Sequence, residues 1–152
     1  MSAKMNKYDI KYAKTLANLA KVHSSKNDFE SAIANFEEAL SICRELENDA
    51  TNENFHCISD ILNDLAILYR ELNCFEKAED LFNEALELNR KLAKINPQSY
   101  MSEVAMTMNN LANLHIDKND FLKAQEKYEE ALSIYSELAK EKPQIFSPDV
   151  AT

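Results

Sequence analysis

At 152 residues, 45 % of them apolar, the chain is long enough to bury a sizeable core in one domain, which argues against disorder. With no Gly and three Pro it lacks the residues that β-turns need, so a helical protein is expected. A formal net charge of −9 repels phosphate backbones and anionic lipid, so nucleic acid and membrane surfaces are excluded as expected partners, and a basic or neutral protein is left open.

Met1 to Asp9 lacks the apolar core of a signal peptide, and no apolar run approaches the roughly 18 residues that span a bilayer, which predicts a soluble, cytoplasmic protein. Tyr8, Tyr12, Leu16, Leu19, Ala20 and His23 follow steps of three and four, the spacing of a helix with one apolar face. Asn27-Asp28 ends it, because Asn is the non-glycine residue best suited to the left-handed backbone that closes a helix. Phe29, Ala32, Ile33, Phe36, Ala39, Leu40, Cys43 and Leu46 then form a second helix that Asp28 can cap. Longer breaks are expected at Asn48 to Asn54, around Asn96-Pro97-Gln98, and around Lys142-Pro143-Gln144, where proline cannot continue a helix.

This hairpin recurs. Leu19-Ala20, Leu65-Ala66 and Leu111-Ala112 are 46 residues apart, as are Asn27, Asn73 and Asn119, Phe36, Phe82 and Tyr128, and Ala39-Leu40, Ala85-Leu86 and Ala131-Leu132. Repeats are therefore expected at about 8–53, 54–99 and 100–145. Cys74 replaces the capping Asp of the other two turns, so the middle hairpin should be the least well capped. Pro143-Gln144, Phe146 and Val150-Ala151 match Pro97-Gln98, Tyr100 and Val104-Ala105, so residues 146–152 read as the start of a fourth, truncated repeat.

Leu62, Leu65, Ala66, Tyr69, Ala78, Phe82 and Ala85 resemble the tetratricopeptide repeat, and the corresponding residues of the other two units fit the same pattern. The resemblance covers almost the whole chain, with a 46-residue unit in place of the family's usual 34. The Asn-rich first helices, such as Met108-Asn109-Asn110-Leu111-Ala112, look like the long-repeat branch that includes kinesin light chains, and Glu137-Leu138-Ala139-Lys140 with Pro143 looks like a bacterial group. It implies an all-α, right-handed superhelical solenoid of three antiparallel helix hairpins. Val22, Leu68 and Leu114 widen the apolar face of each first helix, so each should touch both its own partner and a neighbouring repeat.

The remaining polar strip of each first helix runs Lys14, Asn18, Lys21, Ser25, then Asp60, Asp64, Ile67, Glu71, then Met106, Asn110, Asn113, Asp117. In the tetratricopeptide family this strip faces the concave groove. The peptide-binding candidates are these residues other than Ser25 and Glu71, together with Asn63, Arg70 and Asn109. An amide both donates and accepts, so the Asn side chains can pair with a peptide backbone of any sequence; the alternative is that they are solvated helix residues. Lys14 and Lys21 make the first repeat basic and Asp60 and Asp64 the second acidic, which gives a ligand a preferred direction or is an ordinary solvated pattern. Met106 and Asn110 stand where a carboxylate clamp of the family would need a cation, so that clamp is not expected. Ile67, Met106 and Ile116 could form a shallow apolar pocket.

Chemistry is not expected. His23 and His115 share the repeat position of Tyr69 and read as packing residues, glycine-rich phosphate loops and metal motifs are missing, and Cys43, Cys57 and Cys74 read as free thiols. No catalytic or metal-binding residue and no cofactor is assigned. The expected function is a non-catalytic scaffold holding a peptide or helix of a partner protein. The alternative is self-association, possible as a homodimer, through an open end of the stack where Tyr128, Leu132 and Tyr135 lie.

Overall fold

The computed structural model describes residues 3–46 and 52–141. The regular elements among them are all helices: α1 (Ala3–Ser25), α2 (Phe29–Glu45), α3 (Asn52–Glu71), α4 (Phe75–Ile95), α5 (Pro97–Asp117) and α6 (Phe121–Glu141). The chain forms two compact units, Met1–Leu88 and Asn89–Thr152. The expected fourth-repeat residues lie outside the described residues.

The three tight turns are built alike. Asn27, Asn73 and Asn119 have φ of 63°, 64° and 61°, the left-handed region that Asn tolerates best among residues with a Cβ. The next N–H reaches back five residues, from Asp28 to His23 O, Cys74 to Tyr69 O and Asp120 to His115 O, each at 2.8 Å. That bond satisfies a carbonyl the helix end would leave bare and turns the chain back on itself. Asp28 then accepts from Ser31 N at 3.3 Å, and Asp120 from Lys123 N at 3.3 Å. Cys74 instead points its thiol at Leu72 O, 3.8 Å away, so the middle hairpin lacks that cap as expected.

The junction at Pro97 differs from the expected long break. Here α4 ends at Ile95 and α5 starts at Pro97, with Asn96 as N-cap accepting from Ser99 N at 3.3 Å. Proline suits the first helical position, where its missing N–H has no intrahelical partner to lose. It therefore starts a helix here and leaves room for one residue between the two.

In the first unit α1 packs on α2, and α3 packs on both. Ala13, Ala20, Ala32 and Ala39 are fully buried, and such small residues let helix backbones approach closely. Phe36, Leu40 and Cys43 of α2, and Ile58, Ile61, Leu65 and Leu68 of α3, complete that core. Each fully buried Leu or Ile stabilises by about 1.5–3 kcal/mol. In the second unit α5 packs on α6 through Leu111, Ala112, Ala124, Ala131 and Leu138. Buried Asn89 of α4 donates to Thr107 Oγ1 of α5 at 3.2 Å, and Thr107 donates to Glu103 O at 3.0 Å, so these buried polar groups are satisfied.

The wide apolar face expected on every first helix is buried on α3 (Leu65, Leu68) and α5 (Leu111, Leu114) but not on α1. Leu19 is 45 % exposed and Val22 54 %. With α2 and α3 packed elsewhere on α1, that arc stays at the surface.

Candidate functional site

Steps of four and three on two neighbouring helices bring the predicted strip together in the first unit. Lys14, Asn18 and Lys21 of α1 and Asp60 and Asp64 of α3 line one cleft of about 310 Å3, floored by Ala17 and Ile61. An adjoining cleft of about 210 Å3 runs from Lys21 and Ser25 to Asp64, Ile67 and Glu71. Ile67 is half-buried in its wall, where it can offer an apolar contact.

The charges of the cleft are largely matched. Lys14 Nζ lies 3.1 Å from Glu53 Oε1 and Lys21 Nζ 3.3 Å from Asp64 Oδ2. Asp60 lies 3.5 Å from His56 Nε2, a group charged only when protonated. Desolvation by the cleft walls pushes both Asp60 and Asp64 above the usual carboxylate range; His56, Lys21 and Lys14 oppose it at Asp60, and Lys21 at Asp64.

Asn63 is corrected from groove residue to core residue. Adjacent to Asp64 in sequence, it is 3 % exposed on a different face of α3 and has a bonding partner. Arg70, half-buried on α3, also has a partner. In the second unit Met106 and Asp117 are exposed and Asn110 is half-buried on α5. Asn109 is hydrogen-bonded to Tyr135, and Asn113 accepts the Tyr128 hydroxyl, so α6 engages both amides. Ile116 sides with neither Met106 nor the polar strip. It lines a cleft of about 290 Å3 with Phe121, Tyr128 and Leu132, an apolar surface on α5 and α6.

One contact had no signal in the sequence. Cys43 and Cys57, fourteen residues apart, bring their sulphurs within 3.2 Å where α2 meets α3. The hydrogen bond between them pushes the Cys43 thiol up and the Cys57 thiol down; burial raises both. Cys57 lines the α1–α3 cleft from behind, and Cys74 is exposed. Among the described residues no cluster of three His, Cys, Asp or Glu is placed to hold a metal ion, and no helix is long and apolar enough to cross a membrane.

Two family models, both described as Tetratricopeptide repeat, match the chain: one over residues 59–92, the other over 13–52 and 104–143. Among solved structures, the crystal structure of BtubC (BKLC) from P. vanneervenii aligns with a TM-score of 0.64 and 24 % identity. That alignment covers 91 % of this chain and 57 % of BtubC, so the chain spans little more than half of that structure's length. The de novo designed helical repeat protein DHR64 aligns with a TM-score of 0.42 and 21 % identity over 93 % of this chain and 70 % of the design. No curated protein matches the sequence.

Proposed function

The chain belongs to the tetratricopeptide repeat family, and from that premise we propose that it is a non-catalytic scaffold that holds a peptide or helix of a partner protein against α1 and α3. The observation that carries this reading is the convergence of Lys14, Asn18, Lys21, Asp60 and Asp64 on one cleft. Asn18 supplies a donor and an acceptor for a peptide backbone, and Ile67 an apolar contact further along. Asp60 is the anchor for a basic side chain of the ligand: its carboxylate is half-exposed at the cleft, and its neighbour His56 is charged only when protonated, which leaves room for a Lys or Arg. In the second unit Met106, Asn110 and Asp117 offer the same kind of contacts from α5.

Selection of peptides from a random displayed library tests this. Binders should be enriched in Lys or Arg, and Asp60→Asn should weaken them about tenfold, the order of one charge-assisted hydrogen bond. Binding should also fall with pH sooner than for an ordinary carboxylate, because the raised pKa of Asp60 lets it protonate earlier. Peptides that bind wild type, Asp60→Asn and Lys21→Ala equally well would move the site elsewhere.

A second reading is favoured by the apolar surface of Ile116, Phe121, Tyr128 and Leu132: the protein associates with itself through α6. The two readings use different surfaces and are compatible.

A further inference from the structure

The repeat gives the α6 surface a mate within the chain's own sequence. At the α2–α3 junction, Phe36 and Leu68 border one cleft, Leu40 and Leu65 another, and Cys43 meets Cys57. One repeat later Asn89 takes the place of Cys43 and bonds Thr107 of α5. The corresponding residues of α6 are Tyr128, Leu132 and Tyr135, and Leu132 is 66 % exposed where Leu40 is buried. On α1, Tyr12, Leu19 and Val22 hold the repeat positions of the buried Ile58, Leu65 and Leu68, and all three are exposed. One face of each kind is thus left without a mate among the described helices of its own unit.

We infer that the α6 face of one copy receives the α1 face of a second copy, as α2 receives α3 within the chain. By register Leu19 would lie on Leu132 and Val22 on Tyr128. His23 would face Glu129, as Tyr69 faces Glu37, whose carboxylate accepts the Tyr69 hydroxyl at 3.3 Å. Charge supports the same pairing. The α1 sequence has five Lys against one Asp, a net +4, and is the one described helix with a positive balance; Lys14 and Lys21 are paired with Glu53 and Asp64 of α3, whereas Lys11, at the repeat position of Cys57, is exposed, and α6 has five Glu against three Lys, a net −2. The contact is heterologous, because the two surfaces are different, and so it either closes as a ring or propagates. This inference rests on the self-association reading and specifies its geometry.

Sedimentation velocity on the full chain, from micromolar to about millimolar concentration, provides the test. Wild type should associate as concentration rises. Leu132→Lys, which blocks the α6 face, and Leu19→Glu, which blocks the α1 face, should each weaken association at least tenfold while keeping the helical circular dichroism spectrum. Mixed together, the two variants should form a 1:1 complex that grows no further, since each supplies the face the other lacks. Phe121→Lys and Val22→Glu repeat the comparison should either first variant misfold. Wild type that stays monomeric overturns both self-association and this geometry. Wild type that associates, with Leu19→Glu unaffected or the mixture inert, leaves self-association standing and overturns the α1–α6 pairing.

Discussion

Asn18 and Asn63 lie on first helices of successive repeats and carry the same side chain, yet one faces the cleft and the other is buried. Their substitutions should separate accordingly. Asn63→Ala removes a buried polar side chain that has an interaction partner and should cost about 1–3 kcal/mol, read as a lower urea midpoint at unchanged slope. Asn18→Ala, at an exposed position, should stay within about 0.5 kcal/mol of wild type. Equal midpoints for the two would mean that the Asn63 amide is not held by the core. Residue type does not carry the distinction, but the 46-residue register does, since Asn18 shares its repeat position with Asp64 and Asn63 shares its position with the buried Ala17. Depth is set by which helices close around each position, and residue type alone does not encode that. The 3.2 Å approach of Cys43 to Cys57 was hidden for the same reason.

Local features, by contrast, could be read directly. The left-handed Asn at each turn and the capping Asp after it depend on a few consecutive residues, so residue type suffices, and the absent cap at Cys74 follows by comparison between repeats. The break at Asn96-Pro97 falls where the sequence places it but is one residue long, because proline both ends helices and begins them and Asn96 caps the helix that follows. The comparison at Cys74 gives a prediction. Cys74→Asp restores the group that Asp28 and Asp120 use, at a turn with the same backbone, and gives up only a 3.8 Å thiol contact to Leu72 O. A new N-cap should stabilise the protein by about 1 kcal/mol. It should also complement the positive end of the α4 dipole. A urea midpoint unchanged or lowered in Cys74→Asp would show that the start of α4 is constrained by packing instead.

Across the whole molecule, the period and the helix faces that follow from it could be read in the sequence, whereas the environment of each face could not. Leu19, Leu65 and Leu111 are the same residue at the same repeat position, and only Leu19 is exposed. Charge adds a feature that the total of −9 conceals, since α1 is positive within a strongly acidic chain. If α1 of one copy docks on α6 of another, opposite charges meet across a contact whose centre is apolar, and salt should act on the first part alone. Raising NaCl from 50 to 500 mM shortens the screening length from about 14 to about 4 Å and should weaken self-association several-fold without abolishing it. Replacing Glu126 and Glu129 with Gln lowers the acidity of α6 and should flatten that dependence while leaving the thermal midpoint of the dilute protein nearly unchanged. Association that tightens with NaCl in both proteins would assign the contact to apolar burial alone and remove the electrostatic argument for α1 as the docking helix.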